Sequence, residues 1–322
     1  MHTLLRRMGF RYLRRQQRHY LAETPTNVAF RGRYLQSKVI NRDANENPQF
    51  PEVYLDESYV NQNHVCSRSW LDIGRKRHAK ATDFVIIGAG VLQTSGDKTF
   101  GAWVEESLHY WQSQLKTKEN YHGNFNSELF EMWFHNLCRT LAVNFGTCII
   151  HLDGARNRKR VLNPGPANKW LKVDIQSWLK VRGVPFHAWD LKANLLKKAK
   201  AAKEPPQYAF VKIASAYSHR VVYTPPYHPE LQPIEIIWAN VKNRIGANPA
   251  KNMEDLESKL KASLEVVSSN TWEGALRKVQ GFEDMYIATA DDELLADEEE
   301  DEESDGEDDT CIVGEFLGNI ES

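Results

Sequence analysis

The stretch Tyr223-Thr-Pro-Pro-Tyr-His-Pro-Glu-Leu-Gln-Pro-Ile-Glu-Ile-Ile-Trp-Ala-Asn-Val-Lys-Asn-Arg244 predicts a strand end, a proline-rich loop and then a helix. Proline is tolerated at the first position of a helix because the N–H that it lacks would be unpaired there. The following apolar residues recur at helical spacing and predict a buried face: Ile234, Ile237, Trp238, Val241 and Ile245. Glu235 lies in the first turn, in line with Lys242 two turns on. Such a carboxylate could hold a metal near a phosphate, or be a solvated glutamate at a helix start.

The loop and the helix start match a known sequence pattern. Pro-Pro-Tyr-His-Pro-Glu-Leu-Gln-Pro-Ile-Glu-x-x-Trp-x-x-Val-Lys closely resembles the last catalytic block of the mariner-like transposases of the DDE class. The resemblance implies that Glu235 is the third of three metal-binding acids. It also implies that two catalytic aspartates lie upstream.

The first acid is expected in the stretch from Pro51 to Val60, whose residues alternate as in a strand. Because side chains alternate between the faces of a strand, Asp56 and Glu57 point opposite ways and only one can serve a given site. From the residues alone, Asp56 could also cap a turn or form a salt bridge. Tyr-Leu-Asp-Glu-Ser-Tyr-Val-Asn-x-Asn-His resembles the family's first catalytic block, which assigns the first acid to Asp56.

The second acid is expected at the end of the apolar run Thr147-Cys-Ile-Ile-His-Leu-Asp153-Gly-Ala. Such a run is typical of a central strand covered on both faces, and open α/β sheets bind ligands at such strand ends. The run resembles the family's second catalytic block, which assigns the second acid to Asp153. Gly154 stands where the family usually has asparagine, and Arg158 stands where it has histidine. The cations that follow Asp153 favour phosphate contact: Arg156, Arg158, Lys159 and Arg160.

The assigned acids suit metal-dependent chemistry on DNA. Three such acids can hold two divalent cations about 4 Å apart, and carboxylate oxygens suit Mg2+. The resemblance implies that Asp56 bridges two Mg2+ (or Mn2+) ions while Asp153 and Glu235 each bind one. It implies action on double-stranded DNA, at transposon ends and a TA target, by a homodimer in the nucleus, with no small-molecule substrate. Lys242 and the cations after Asp153 would bind phosphates without reading sequence.

Composition bounds the class of protein. The chain has 322 residues, 41% of them hydrophobic, enough for one substantial core with additions at either end. No apolar run approaches about 18 residues, so no membrane span is predicted, and no apolar segment follows the N-terminal arginines to suggest secretion. The cysteines have no metal-binding spacing, which is typical of reduced thiols in an intracellular protein: Cys66, Cys138, Cys148 and Cys311.

The net charge of −2 conceals an asymmetry. Residues 291–309 contain fourteen acidic residues and no basic one, which leaves 41 basic against 29 acidic residues in the rest of the chain. A basic body suits a nucleic acid, or is only solvated surface. The acidic stretch is expected to be disordered because it cannot bury enough apolar surface to offset chain entropy. It could act as a solubilising tail or compete with DNA for the basic body.

The N-terminal residues are densely basic. Leu-Leu-Arg-Arg-Met-Gly-Phe-Arg-Tyr is similar to the end of the helix-turn-helix DNA-binding region that precedes the catalytic domain in this family. The resemblance implies that most of that region lies upstream of Met1. Arg11, Arg14 and Arg15 are expected to contact the DNA backbone, or to belong to a basic linker helix.

Helical patterns fill the intervals between the blocks. An amphipathic helix is predicted with a core-facing stripe of Phe130, Trp133, Phe134, Leu137 and Leu141. An insertion between Asp153 and Glu235 is predicted to contain two helices, around Trp170–Val181 and Leu191–Ala202. The second of these has a basic face that could follow DNA or be solvated: Lys197, Lys198, Lys200 and Lys203.

These patterns predict an α/β fold: a ribonuclease-H-like mixed sheet flanked by helices, with a helical insertion before the last catalytic helix and a disordered acidic tail. Residues 1–45 are expected to be a basic helical remnant or linker of a DNA-binding region. Residues 46–285 would form the DDE catalytic domain, and residues 286–322 the tail. The expected function is DNA transposition by a metal-dependent endonuclease and strand transferase. The alternatives are a catalytically decayed or domesticated DNA-binding protein of the same fold, and a cellular nuclease, which the transposase-like last block disfavours.

Overall fold

The computed structural model describes residues 20–61, 83–112, 127–155 and 158–301, with the backbone alone for residues 291–301. Within these residues, six strands form one mixed sheet. The strands are β1 (Glu52–Asn61), β2 (Asp83–Ser95), β3 (Lys98–Trp103), β4 (His109–Gln112), β5 (Ile149–Leu152) and β6 (Arg220–Tyr223). The α-helices are α1 (Pro25–Ile40), α2 (Ser127–Asn144), α3 (Lys172–Val181), α4 (Lys192–Ala201), α5 (Ala209–Ala216), α6 (Pro233–Ala247), α7 (Met253–Glu265) and α8 (Ser269–Asp301).

The sheet has the strand order β3-β2-β1-β5-β6, and β4 pairs with β2. β1, β2 and β3 are antiparallel neighbours, whereas β5 and β6 run parallel to β1. The register pairs Tyr54 of β1 with His151 of β5. Asp56 and Asp153 each lie two residues beyond this pair, so they are level with each other and on the same face of the sheet.

One face of the sheet is covered by α2 and α5. Val53 and Leu55 of β1 pack there with Ile150 and Leu152 of β5. The aromatic stripe predicted for α2 is confirmed, because every member is at most 8% exposed: Phe130, Trp133, Phe134, Leu137 and Leu141. Burial of these large side chains anchors α2 to the strands that carry the two aspartates.

The opposite face is covered by α6, α7 and α8. The apolar stripe predicted for α6 is buried there with Tyr54 of β1 and Trp272 of α8. α6 thereby lies against β1, and its first turn is held on the face of the sheet that also bears Asp56. The α/β class and the mixed sheet flanked by helices agree with the prediction.

The insertion predicted between Asp153 and Glu235 contains α3 and α4, within a residue or two of their predicted bounds. These helices pack on each other around Ile175, Leu179, Leu195 and Ala199. The insertion thus has a core of its own and does not extend the sheet.

Contacts cross both predicted domain boundaries, at residues 45 and 285. Lys38 of α1 contacts the buried Glu52 of β1, and Arg42 binds Glu283 of α8 at 2.6 Å. The helix α8 continues past residue 286 to Asp301, and Tyr286 is only 4% exposed. Arg11, Arg14 and Arg15 lie outside the described residues, as does the acidic segment beyond Asp301. Among the described helices, none is both long and apolar enough to cross a bilayer.

Candidate active site

The ends of β1 and β5 bring two aspartates to one edge of the sheet. The Asp56 side chain is 15% exposed, and the Asp153 side chain, directly after β5, is 43% exposed. Glu57 follows Asp56 on the opposite face and is 7% exposed. Parallel strands end at the same edge, which is why residues almost a hundred positions apart meet here.

α6 supplies the third acid. Pro233 occupies its first turn, and Glu235 lies in that turn, partly buried. Gln232 precedes the helix, but its side chain makes no capping hydrogen bond. The orientation of Glu235 therefore depends on how α6 packs and on the loop before it.

That loop is fixed by contacts with α1 and α8. His228 is 1% exposed, and its two ring nitrogens lie 3.3 Å from Nη1 of Arg31 and 2.9 Å from Oε1 of Glu230. The hydroxyl of Tyr286 donates to the same glutamate oxygen at 2.6 Å. Tyr227 has a φ of 65°, a left-handed conformation that is costly for a bulky residue and needs such support. These anchors were not predicted, because Arg31 and Tyr286 are far from the loop in sequence.

The three acids influence one another electrostatically. The pKa of Asp56 is raised to about 7, mainly by burial; Arg158 opposes the rise, and Glu235 and Asp153 add to it. Burial also raises the pKa of Glu235, with Asp153 adding to the rise and Lys242 opposing it. Neighbouring negative charges that raise the pKa of a carboxyl group also favour a counter-cation beside it.

Arg158 supplies such a cation from within the chain. Its guanidinium lies 2.8 Å from Asp153 (Nη1–Oδ1), 3.3 Å from Glu57 (Nε–Oε1) and 3.7 Å from Asp56 (Nη2–Oδ1). The side chain is 3% exposed and lies 5.6 Å above the Phe130 ring. Burial works against its charge, but Asp153, Glu57 and Asp56 together raise its pKa. Arg158, expected to contact phosphate, is instead turned inward onto the acids.

The other predicted cations lie in different surroundings. The ammonium of Lys159 lies 4.8 Å from the Tyr223 ring centre and would be 3.2 Å from a Cβ at Gly154. Arg160 binds Glu131 through two contacts, of 2.7 and 2.6 Å, and its side chain is 51% exposed. Lys242 is partly buried near Glu235. Arg156 lies outside the described residues.

The donors present suit Mg2+ or Mn2+, since carboxylate oxygens are the ligands that these ions prefer. Within the described residues, however, no three acidic, histidine or cysteine groups converge closely enough to hold a metal as they stand. The charge of Arg158 lies against Asp56 and Asp153. The carboxylates fit a divalent cation provided that this guanidinium moves away.

Solved structures with a similar fold exist. The Mos1 transposase paired-end complex with left transposon end matches with a TM-score of 0.50 and 13% identity, over 89% of this chain and 68% of that chain. The Mos1 mariner paired-end complex with Mn matches with a TM-score of 0.50 and 14% identity, over 89% and 69% of the two chains. At this identity the likeness establishes the fold alone, a ribonuclease-H-like mixed sheet flanked by helices. Neither a family model nor a curated protein sequence matches the chain.

Proposed function

We propose that this chain is a DDE-type DNA transposase, a metal-dependent endonuclease and strand transferase that acts on transposon ends. The observation that supports the proposal is the common contact of Asp56 and Asp153 with the Arg158 guanidinium where β1 and β5 end, with Glu235 near enough to help raise the pKa of Asp56. The sequence blocks around these three acids and the shared fold with a mariner transposase support the same assignment.

Two Mg2+ or Mn2+ ions bound by the acids would activate a water and stabilise the leaving oxygen in displacement at phosphorus. Asp56 is the most buried of the three acids and would contribute to both ions. Asp153 is 43% exposed against 15% for Asp56, so it is the more open of the two aspartates and would face the approaching substrate. Lys242 would keep Glu235 ionised and offer a charge to a phosphate.

The finer features of the proposal follow from the family resemblance. Double-stranded DNA would be cut at element ends and joined to a TA target by a homodimer in the nucleus. Lys159 and Arg160, which follow the acid edge directly, would contact the DNA backbone without reading sequence. Both Mos1 structures are paired-end complexes, one with a transposon end and the other with Mn, which supports DNA and a divalent cation as ligands.

A second candidate function is a DNA-binding protein that keeps the fold without turnover. The position of Arg158 favours it, because a guanidinium that neutralises Asp56 and Asp153 also competes with a metal for them. Gly154, where the family usually has asparagine, leaves the space that Lys159 fills.

Nicking of supercoiled plasmid tests the proposal, because it needs no particular end sequence. We expect the wild type to convert supercoiled to open-circular DNA with Mn2+ or Mg2+ but not with EDTA. Asp153→Asn should abolish this conversion, since it removes a metal-binding charge and keeps the size of the side chain. Asp174→Asn, an exposed change on α3, is the matched control and should nick like the wild type.

Two results would separate the candidates. Unchanged nicking by Asp153→Asn would exclude Asp153 as a metal ligand. A folded wild-type protein that binds duplex DNA but never nicks it would favour the binding protein.

A further inference from the structure

The insertion between β5 and α5 is a folding unit of its own. Its core comes from Ile175 and Leu179 of α3 and from Leu195 and Ala199 of α4, each at most 2% exposed. The residues packed around this core also belong to the insertion: Trp170, Trp178, Val184, Phe186 and Leu196. The exposed residues of the insertion take no part in this core, so their charge can differ from that of the rest of the chain.

The two halves of the insertion repeat each other at a spacing of 20 residues. Residues 171–180 and 191–200 have the same order of buried, partly buried and exposed positions. Lys172 donates to the carbonyl of Ala188 at 3.1 Å, and Lys192 donates to the carbonyl of Asn168 at 2.8 Å. These contacts are equivalent, because each joins the start of one helix to the segment before the other.

The exposed positions of α4 carry more positive charge than those of α3. Ser177 on α3 corresponds to Lys197 on α4, whereas the next exposed position is a lysine in both helices, Lys180 and Lys200. Lys203 continues this row beyond the end of α4, with its methylene groups where a Cβ on Gly165 would lie. Lys197, Lys200 and Lys203, called the lysine row below, are all exposed. Residues three apart on a helix lie about 5–6 Å apart, so Lys197 and Lys200 are neighbours on α4, and Lys203 adds a third positive charge just past its end.

The insertion as a whole is positively charged. Residues 163–207 contain nine basic and three acidic residues. Among the ion pairs of the described residues, the one within the insertion joins Lys198 to Asp190 at 2.8 Å. The lysine row is separate from that pair, so its charge remains available to a polyanion.

The base of the insertion lies beside the acids. Val161 and Tyr208 form a β-bridge, and the N–H of Ala209 donates to the carbonyl of Arg160 at 3.0 Å. Arg160 is two residues from Arg158, which contacts Asp153. A duplex that reaches the acid edge therefore passes close to the point where the insertion leaves the body.

We propose that the lysine row is a binding surface for the phosphate backbone of double-stranded DNA, separate from the acid site. The proposal rests on the proposed function in one respect, namely that DNA is the partner of this chain. Flexible lysine side chains bind phosphates as point charges, so the surface would add affinity and hold the duplex without reading its sequence.

The test is the affinity of the full chain for a fluorescent 30-base-pair duplex of mixed sequence, measured by anisotropy at several salt concentrations. The variant carries Lys197→Gln, Lys200→Gln and Lys203→Gln. The matched control carries Lys251→Gln, Lys261→Gln and Lys278→Gln, three exposed lysines on or beside α7 and α8. Each phosphate contact contributes about 0.9 to the slope of log K against log salt concentration. Loss of three contacts should therefore make this slope about 2.7 shallower for the lysine-row variant, which should bind at least about tenfold more weakly at low salt. The control should bind like the wild type.

Equal affinity and slope for the wild type and the lysine-row variant would overturn the proposal. So would a variant that keeps duplex affinity but loses affinity for polyglutamate, because the row would then serve an acidic polypeptide. Unchanged thermal unfolding of the variant shows that a loss of binding is not a loss of fold. Duplex binding is measured in EDTA, where no metal can bind the acids, so a failure of nicking and a failure of this surface are separate results.

Discussion

Arg158 binds Asp153 through a 2.8 Å hydrogen bond from Nη1 to Oδ1, where β5 ends. The same guanidinium reaches Glu57 and Asp56, so one buried positive charge serves three carboxylates. Without a counter-charge, carboxylates so close together would repel each other and bind protons. Arg158 therefore performs in the folded chain the electrostatic task that a divalent cation would perform during catalysis.

Arg158→Gln tests this competition. Removing one partner from a buried charge cluster costs about 3–5 kcal/mol, and we expect about 3 kcal/mol because Asp153 is partly exposed. Mn2+ should then raise the unfolding temperature of the variant more than that of the wild type, because the freed carboxylates can bind it. The measurement is thermal unfolding in EDTA and at increasing Mn2+ concentration.

Arg160→Gln is the matched control for that experiment. The Arg160 side chain is half-exposed, so the loss of its pair with Glu131 should change stability little and leave the response to Mn2+ unchanged. If Arg158→Gln and the wild type respond equally to Mn2+, Arg158 and the metal do not compete.

Gly90 of β2 lies directly beneath the Trp272 ring of α8. A Cβ at this position would lie 2.0 Å from the Trp272 ring, which is completely buried. Gly90→Ala should therefore lower the free energy of unfolding by 1–3 kcal/mol or more, measured by urea denaturation. Gly274→Ala on α8 is the control: nothing lies within 4 Å of its Cβ, and alanine should stabilise the helix by about 0.5–1 kcal/mol. Equal stabilities for the two variants would exclude close packing of Trp272 on β2.

Periodicity in the sequence was enough to predict the main packing faces. The stripe on α2 and the stripe on α6 repeat at helical spacing, and both are buried. The position of Asp153 after a continuous apolar run likewise predicted a strand end at the sheet edge. These features depend on neighbouring residues alone, which is why local patterns reveal them.

Contacts between distant residues were not predictable in this way. Arg158 was expected to face DNA because a cation after a strand is equally compatible with solvent and with the acids. Its inward position depends on Glu57, 101 residues earlier. The continuation of α8 was missed for a similar reason, since its apolar pattern weakens after Phe282 while Tyr286 remains buried against distant residues.

Acid stability should depend on Glu52. Burial opposes the charge of Glu52, but the nearby Lys38 and His151 together lower its pKa to about 2. A carboxylate with a lowered pKa stabilises the fold above its unfolded pKa of about 4.5, and this contribution is lost as the pH falls from about 4.5 to 2. Glu52→Gln should therefore be less stable at pH 7, by an amount on the order of 3 kcal/mol.

The difference in stability between the wild type and Glu52→Gln should shrink as the pH falls through that window. It is measured by urea denaturation at a series of pH values. Burial lowers the pKa of His151 to about 3, so protonation of His151 also destabilises the fold at low pH. The wild type and Glu52→Gln both contain His151, so the comparison between them isolates mainly the effect of Glu52. Glu265→Gln, an exposed change at the end of α7, should show no such difference. A gap between wild type and Glu52→Gln that stays constant from pH 7 to 2 would show that the charge of Glu52 is not stabilising.

The part of α8 beyond Met285 should contribute to the stability of the sheet and its covering helices. Tyr286 packs with Tyr34 and Leu35 of α1, and its hydroxyl binds Glu230 in the loop before α6. A chain that ends at Met285 should therefore unfold at a lower temperature than one that ends at Asp301. Tyr286→Ala should cost about 3 kcal/mol for the lost packing, and Tyr286→Phe about 1 kcal/mol for the lost hydrogen bond. Met285→Ala, at a position 37% exposed, is the control and should cost less. If the two shortened chains unfold at the same temperature, α8 beyond Met285 does not support the loop that precedes α6 and Glu235.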